Sequence, residues 1–259
     1  MRDNRTIVAD ALSAWRILTD LPLPEPLRRQ GHDAAAARML IWFPLWGVLA
    51  GAAIAAAGAL LTAVSNRFAG AVLFAALTGA FMFCKDSGRA LMLMTSWLLE
   101  LIDGAGFAEA LKNMSSDREV LERRLGGLLA GALAAGVLLM LFLTGLHGGK
   151  WVLIPLFAGA FSTQGEFAAA LDPAAGGIAD PGRYWRRIMW IVCAVAALAL
   201  LACYPTATAF GALVVCLVGM PLREKMLRDL PAFDADTVTW TGGVTEVALL
   251  FCAFLWTIG

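Results

Sequence analysis

Apolar runs of about 20 residues recur along this chain, and the segments between them are short and charged. A run of that length suffices for a helix to cross a hydrocarbon core of about 30 Å. The composition agrees: of 259 residues, 60% are hydrophobic and 15% charged, with a mean hydropathy of +0.74. A soluble domain of this size needs far more polar surface. The expected fold is therefore all-α, a polytopic bundle of membrane helices forming one integral membrane domain over residues 1–259.

Seven spans are expected, near residues 39–62, 69–84, 125–145, 151–170, 187–203, 206–222 and 241–258. The first 38 residues carry six Arg and five acids and no apolar core, so they are not a secretory signal. Within them, TIVADALSAWRIL puts Ile7, Ala11, Trp15 and Leu18 on one helical face, opposite Asp10 and Arg16. That pattern suits an interfacial helix, ended by the prolines of LPLPEP. Gly47 and Gly51 in the first span form a GxxxG pair, which in a membrane signals close helix packing.

The cationic residues orient the chain. Six Lys or Arg lie in the N-terminal segment, six in 85–124, three in 171–187 and three in 221–240. Only Arg67 and Lys150 fall in the alternate loops. With the N-terminus cytoplasmic, the bias is eighteen inside against two outside. Keeping 85–124 on the cytoplasmic side requires that ALMLMTSWLLELI not cross alone. Residues 90–104 are then expected to form a re-entrant or interfacial element that turns back at its glycines.

This topology gathers the acids on the cytoplasmic side. Glu166 and Glu246 stand inside apolar spans, where an ionisable group costs about 2.5–3.5 kcal/mol and usually faces a cavity or a partner. Glu100, Asp103, Asp234, Asp236 and Glu246 can converge on one cytoplasmic-facing cleft. Carboxylates without His or Cys suit a hard cation, Mg²⁺ before Ca²⁺. Asp236 and Glu246 are ten residues apart, about 15 Å along an unbroken helix. One ion can therefore take both only if Thr241-Gly242-Gly243 interrupts the helix, leaving Asp236 in a loop and starting the last span near Gly242.

The plainer alternative stands beside this one. Glu246 and Glu166 can pair with Lys or Arg from loops, Asp236 in DADT can cap the last helix, and Asp103-Gly104 can be a turn. GRYWRR, residues 182–187, reads first as interfacial anchoring and second as a phosphate clamp. Cys84, Cys193, Cys203, Cys216 and Cys252 form no CxxC and read as small hydrophobes, while the distant His32 and His147 give zinc little support. The zero net charge argues against a nucleic-acid partner. No GxxxxGK[ST], GxSxG or HExxH occurs.

Several stretches together resemble one family. ILTDLPLPEP (17–26) followed by WFPLWGVLAG (42–51) is similar to the opening of cobalamin (5′-phosphate) synthase, the adenosylcobinamide-GDP ribazoletransferase. DADTVTWTGGVTEVALLF resembles the family's TGDxxGAxxExxELxxLL, with Asp236 on its Asp, Gly243 on its first Glu and Glu246 on its second. DREVLE with RRLGG (117–127) is similar to RxLEIMKDSRxG, without the MKD segment. The family's acidic signature, TGGxHxDGxxDxxDG, admits two registers here. In one, TGAF (78–81) leads, and Met82, Cys84 and Gly88 replace the His and the first two Asp. The other ends on IDG and sets Ser96, Glu100 and Asp103 on the three Asp; it is preferred because it keeps an acid pair one helical turn apart.

The resemblance implies a multi-pass enzyme of the cell inner (cytoplasmic) membrane, dependent on Mg²⁺. It would join a ribazole nucleoside, or its 5′-phosphate, to adenosylcobinamide-GDP, releasing GMP and completing the cobalamin lower loop. Glu100, Asp103, Asp236 and Glu246 would hold the metal, and Asp86, Lys112, Arg183 and Arg187 would contact substrate. The implied partners are the corrinoid-GDP and ribazole substrates, the lipid bilayer, and corrinoid-assembly enzymes or further copies of the chain. A catalytically impaired paralogue serving as a membrane scaffold is the second reading. A transporter is the third, with neither inverted repeats nor paired broken helices to support it.

Overall fold

The computed structural model describes residues 2–21, 39–117, 119–122, 125–169 and 235–258, with positions 187, 188, 191, 192, 194, 195 and 198. These residues are helical throughout, joined by tight turns. Helix α1 spans Arg2–Leu18, α2 Trp42–Val64 and α3 Arg67–Cys84. Three shorter helices follow: α4 Arg89–Ile102, α5 Phe107–Asn113 and α6 Glu119–Glu122. Then come α7 Gly126–Leu146, a 3-10 turn Lys150–Val152, α8 Leu153–Ala168 and α9 Ala235–Ile258.

Local chemistry explains several of these limits. Pro44 sits in the first turn of α2, where a missing N–H costs nothing. The side chain of Asn66 caps α3 by accepting from the Ala69 N–H at 2.8 Å. Gly104, with φ +94°, ends α4 in a left-handed turn.

The span count needs correction. Among the described residues four helices are long and apolar enough to cross a membrane: α2, α3, α7 and α9. Among the described residues the structure is all-α with four candidate membrane-spanning helices, against the about seven spans expected. The expected span 151–170 resolves into the 3-10 turn and the 16-residue α8. Every α8 residue from Ala160 to Ala168 is buried, so its hydrophobicity serves the protein core rather than lipid. The expected spans 187–203 and 206–222 lie outside the described residues, apart from the scattered positions named above.

Three further expectations change. Residues 90–104, expected as a re-entrant or interfacial element, form a continuous 14-residue helix, α4, that turns at Gly104 as expected and buries Leu93, Met94 and Leu99. The last helix is not interrupted at Thr241-Gly242-Gly243. It starts at Ala235, with Asp236 in its first turn, and runs through both glycines. In α1, Asp10 is buried and Ile7 half exposed, so the helix is rotated from the interfacial pattern. Trp46 of α2 holds it, donating its indole N–H to the Ala11 carbonyl at 2.8 Å and packing on Trp15.

Glycine sets the helix spacing. A methyl group at Gly51 would stand 2.6 Å from the Ile154 Cα, and one at Gly47 would strike the α8 backbone at Phe157 and Ala158. The GxxxG pair thus brings α2 directly onto α8. Gly242 and Gly243 do the same for α9, against Gln164 of α8 and Ala90 of α4 respectively. The core of Phe43, Phe74, Phe157, Phe161 and Trp240 fills the space these contacts enclose.

The hydrogen bonds show which loops share an end of the bundle. Arg67 Nε donates to the Leu146 carbonyl at 2.7 Å, and Lys150 Nζ to Thr62 Oγ1 at 3.0 Å. The α2–α3 and α7–α8 connections therefore lie together. At the other end the N–H of Asp20 bonds to the Lys85 carbonyl, joining the segment after α1 to the α3–α4 turn.

Candidate functional site

The α3–α4 turn is the centre of the charged end. Cys84 closes an 18-residue helix that holds no charge after Arg67, and Lys85-Asp86-Ser87-Gly88 then reverses the chain. Ser87 (φ +54°) and Gly88 (φ +76°) both take left-handed backbone. Asp86 locks the turn: its Oδ1 accepts from the Gly88 N–H at 3.1 Å, and its carbonyl from the Arg89 N–H at 2.9 Å.

This reversal drives Lys85 inward until its side chain is fully buried. The Nζ lies 3.0 Å from Asp86 Oδ2 and 3.2 Å from Glu246 Oε1 of α9. Burial alone would pull the ammonium's pKa down; the Glu246 and Asp86 carboxylates outweigh it, and the net direction is up. Lys85 is therefore charged throughout the neutral range. One turn on, Arg89 pairs with Asp236 at the start of α9. Two cations of one turn thus clasp two acids of one helix.

Beside this clasp lies a polar cavity of about 190 Å³. Its wall includes Arg16 and Asp20 after α1, Asp86 and Arg89 of the turn, Gln164 of α8 and Thr239 of α9. Gln164 is buried, and its Oε1 has no hydrogen-bond partner. Arg16 and Asp20 form no ion pair among the described residues. On the other side of Asp86 and Glu246 lies a larger cavity of about 470 Å³. It is mostly apolar, with Met82, Phe83, Met94, Leu133 and Leu138 in its wall.

The expected site residues separate into groups. Asp86, Asp236 and Glu246 come to the charged end, each already bound to a cation. Asp103 caps the far end of α4, 14 residues beyond Arg89 and so about 20 Å along the axis. It is exposed, Glu100 is half-buried one turn before it, and Lys112 is exposed on α5. Ser96, in the same register, accepts a bond from the Ser115 N–H at 3.0 Å and anchors the following loop. Arg187 is exposed, and Arg183 and Asp234 lie outside the described residues.

The arrangement does not suit Mg²⁺. Among the described residues no group of three or more His, Cys, Asp or Glu is placed to hold a metal ion. Mg²⁺ takes oxygen ligands at about 2.1 Å. The oxygens of Asp86 and Glu246 are instead spread around an ammonium at 3.0 and 3.2 Å. The donor set does not fit the metal as assembled.

Sequence reasoning missed Lys85, Arg89, Arg16 and Gln164. For Lys85 and Arg89 a signal existed: two cations in CKDSGRA, immediately after a charge-free apolar helix, must find partners at that depth. For Arg16 and Gln164 no local signal exists, since only the approach of α1 and α8 makes them neighbours.

Comparison with known proteins now bears on these elements. The family model for cobalamin-5-phosphate synthase matches residues 10–83, from within α1 to the end of α3. The adenosylcobinamide-GDP ribazoletransferase of Novosphingobium aromaticivorans is 32% identical over 153 residues, covering 56% of this chain and 57% of that protein. The chain thus spans little more than half the length of this curated relative. No solved structure matches it. Its N-terminal helices, residues 10–83, are thus similar to the cobalamin-5-phosphate synthase family, and a little over half of the chain is similar to a ribazoletransferase.

Proposed function

We propose that the protein is a membrane-embedded transferase of cobalamin biosynthesis. It joins a ribazole nucleoside, or its 5′-phosphate, to adenosylcobinamide-GDP and releases GMP. The observation that carries this reading is the polar cavity, whose wall holds Arg16 and Arg89 at one end of an apolar bundle. The matched segment, residues 10–83, includes Arg16 and Asp20 and ends beside the α3–α4 turn.

In this reading the diphosphate enters the cavity and its charge is met by the Arg16 guanidinium, with Arg89, already paired to Asp236, beside it. The 5′-oxygen of the ribazole forms the new bond to the phosphorus that carries the corrinoid, and the bond from that phosphorus to GMP breaks. Asp20 is the carboxylate to receive the hydroxyl proton, because Asp86 and Asp236 are held by cations. Catalysis is then mainly positioning and charge stabilisation. No step is assigned to Mg²⁺. The six Lys and Arg of residues 85–124, against Arg67 and Lys150 at the opposite end of the bundle, support the inner membrane with the N-terminus and this cavity on the cytoplasmic side.

A second reading has its own observation. Asp236 and Glu246, the acids aligned with the family's C-terminal motif, are neutralised from within by Arg89 and Lys85. A member that binds substrate without turning it over, as a scaffold in corrinoid assembly, would tolerate this. Purified protein given adenosylcobinamide-GDP and α-ribazole decides between them. GMP release that falls about tenfold or more in Arg16→Ala supports the transferase, since a lost charge-assisted bond costs about 1.5–3 kcal/mol. Substrate binding without GMP release installs the scaffold reading, and absence of both overturns the two together.

A further inference from the structure

We propose that Lys85 is a built-in cation: its ammonium fills the site between Asp86 and Glu246 that would otherwise take a divalent metal. The inference deepens the family reading, but it concerns the chain's own residues and can be tested without substrate.

Position comes first. Lys85 and Arg89 flank Gly88 in CKDSGRA, the stretch following TGAF where one register of the family's acidic signature falls. In that register Cys84 and Gly88 stand where the signature has Asp. The turn carries two cations, Lys85 and Arg89, and one acid, Asp86. The partners on α9 remain, as Asp236 and Glu246. Lys85 and Arg89 set against Asp86, Asp236 and Glu246 leave the local charge near balance without any bound ion.

Geometry supports the exchange. The Lys85 side chain is fully buried and that of Glu246 is 2% exposed, so neither is neutralised by water. The ammonium approaches both carboxylates within hydrogen-bond distance, at 3.0 and 3.2 Å. Asp86 cannot turn away, because its other oxygen is held by the Gly88 N–H. A metal ion entering here would have to expel a buried ammonium already held by both acids. The two acids also form part of the wall of the 470 Å³ cavity, so an ion could reach them if Lys85 were absent. What denies them to a metal is the lysine.

The test uses the full chain in lipid nanodiscs, with Mn²⁺ binding followed by electron paramagnetic resonance at mildly alkaline pH. Wild type is expected to show no saturable site that depends on Glu246. Lys85→Met keeps the length and removes the charge, and should bind Mn²⁺ about tenfold or more tightly than wild type. The Lys85→Met/Glu246→Gln double variant should lose that gain. A folded Lys85→Met protein without the gain overturns the proposal. So does a wild-type Mn²⁺ site abolished by Glu246→Gln, an outcome that decides the matter even if Lys85→Met does not fold. Failure of GMP release leaves these binding results unaffected, so the two readings fail separately.

Discussion

Lys85 carries the heaviest consequence at the level of single residues. A buried ammonium between two acids is stable only while its partners remain, and removing one strands a charge where water cannot reach it. Glu246→Ala should therefore destabilise the protein by about 3–5 kcal/mol, seen as loss of the folded fraction in denaturant or heat. The pH response has a definite sign. Because the Lys85 pKa is raised in the folded state, the contact is fully present below the unfolded lysine value of about 10.4. It is lost only as pH rises through the still higher folded value. Deprotonation of Lys85 itself should therefore cost stability only in strong alkali, seen in thermal melts.

Among the helices, the glycines divide into two kinds by what they touch. At Gly51 the obstacle is the α8 backbone at Leu153 and Ile154, which cannot yield without moving the helix. At Gly242 the obstacle is the Gln164 side chain, whose far end can swing aside. Alanine favours a helix over glycine by about 1 kcal/mol, so the two substitutions should differ. Gly51→Ala should destabilise by about 1–3 kcal/mol, as overpacking does, while Gly242→Ala should be near neutral for stability. Comparing the two melting temperatures in one detergent checks this. Thr241-Gly242-Gly243 was legible as a helix break on propensity grounds, and it is none. Within a bundle of apolar helices, the close approach that glycine permits outweighs its cost in helix propensity.

The molecule as a whole has two unlike ends. Arg67 and Lys150 stand at one, tied to Leu146 and Thr62; the α3–α4 turn, Arg16, Asp20 and the start of α9 stand at the other. Exposed single cysteines report this directly. In a background without native cysteines, Asn113→Cys and His147→Cys should label from opposite sides of the membrane. Labelling of both from one side would overturn the orientation and the cytoplasmic placement of the polar cavity.

What the sequence determined by itself was the class of solution. Long apolar runs demand helices that satisfy their own backbone, and the GxxxG pair marks where two of them touch. The order of motifs, ILTDLPLPEP before WFPLWGVLAG, also carried the resemblance to the family. Tertiary structure alone decided two things. Hydropathy cannot tell a helix facing lipid from one facing protein, so α8 reads as a span until the burial of every residue from Ala160 to Ala168 is seen. Nor does spacing along the chain say which charge will answer which. Asp236 and Glu246 suit a metal when read alone, and only the turn at Gly88 brings Arg89 and Lys85 against them. An ion pair is settled by distance in space, because the Coulomb attraction of two charges depends on their separation and surroundings and on nothing in the sequence between them.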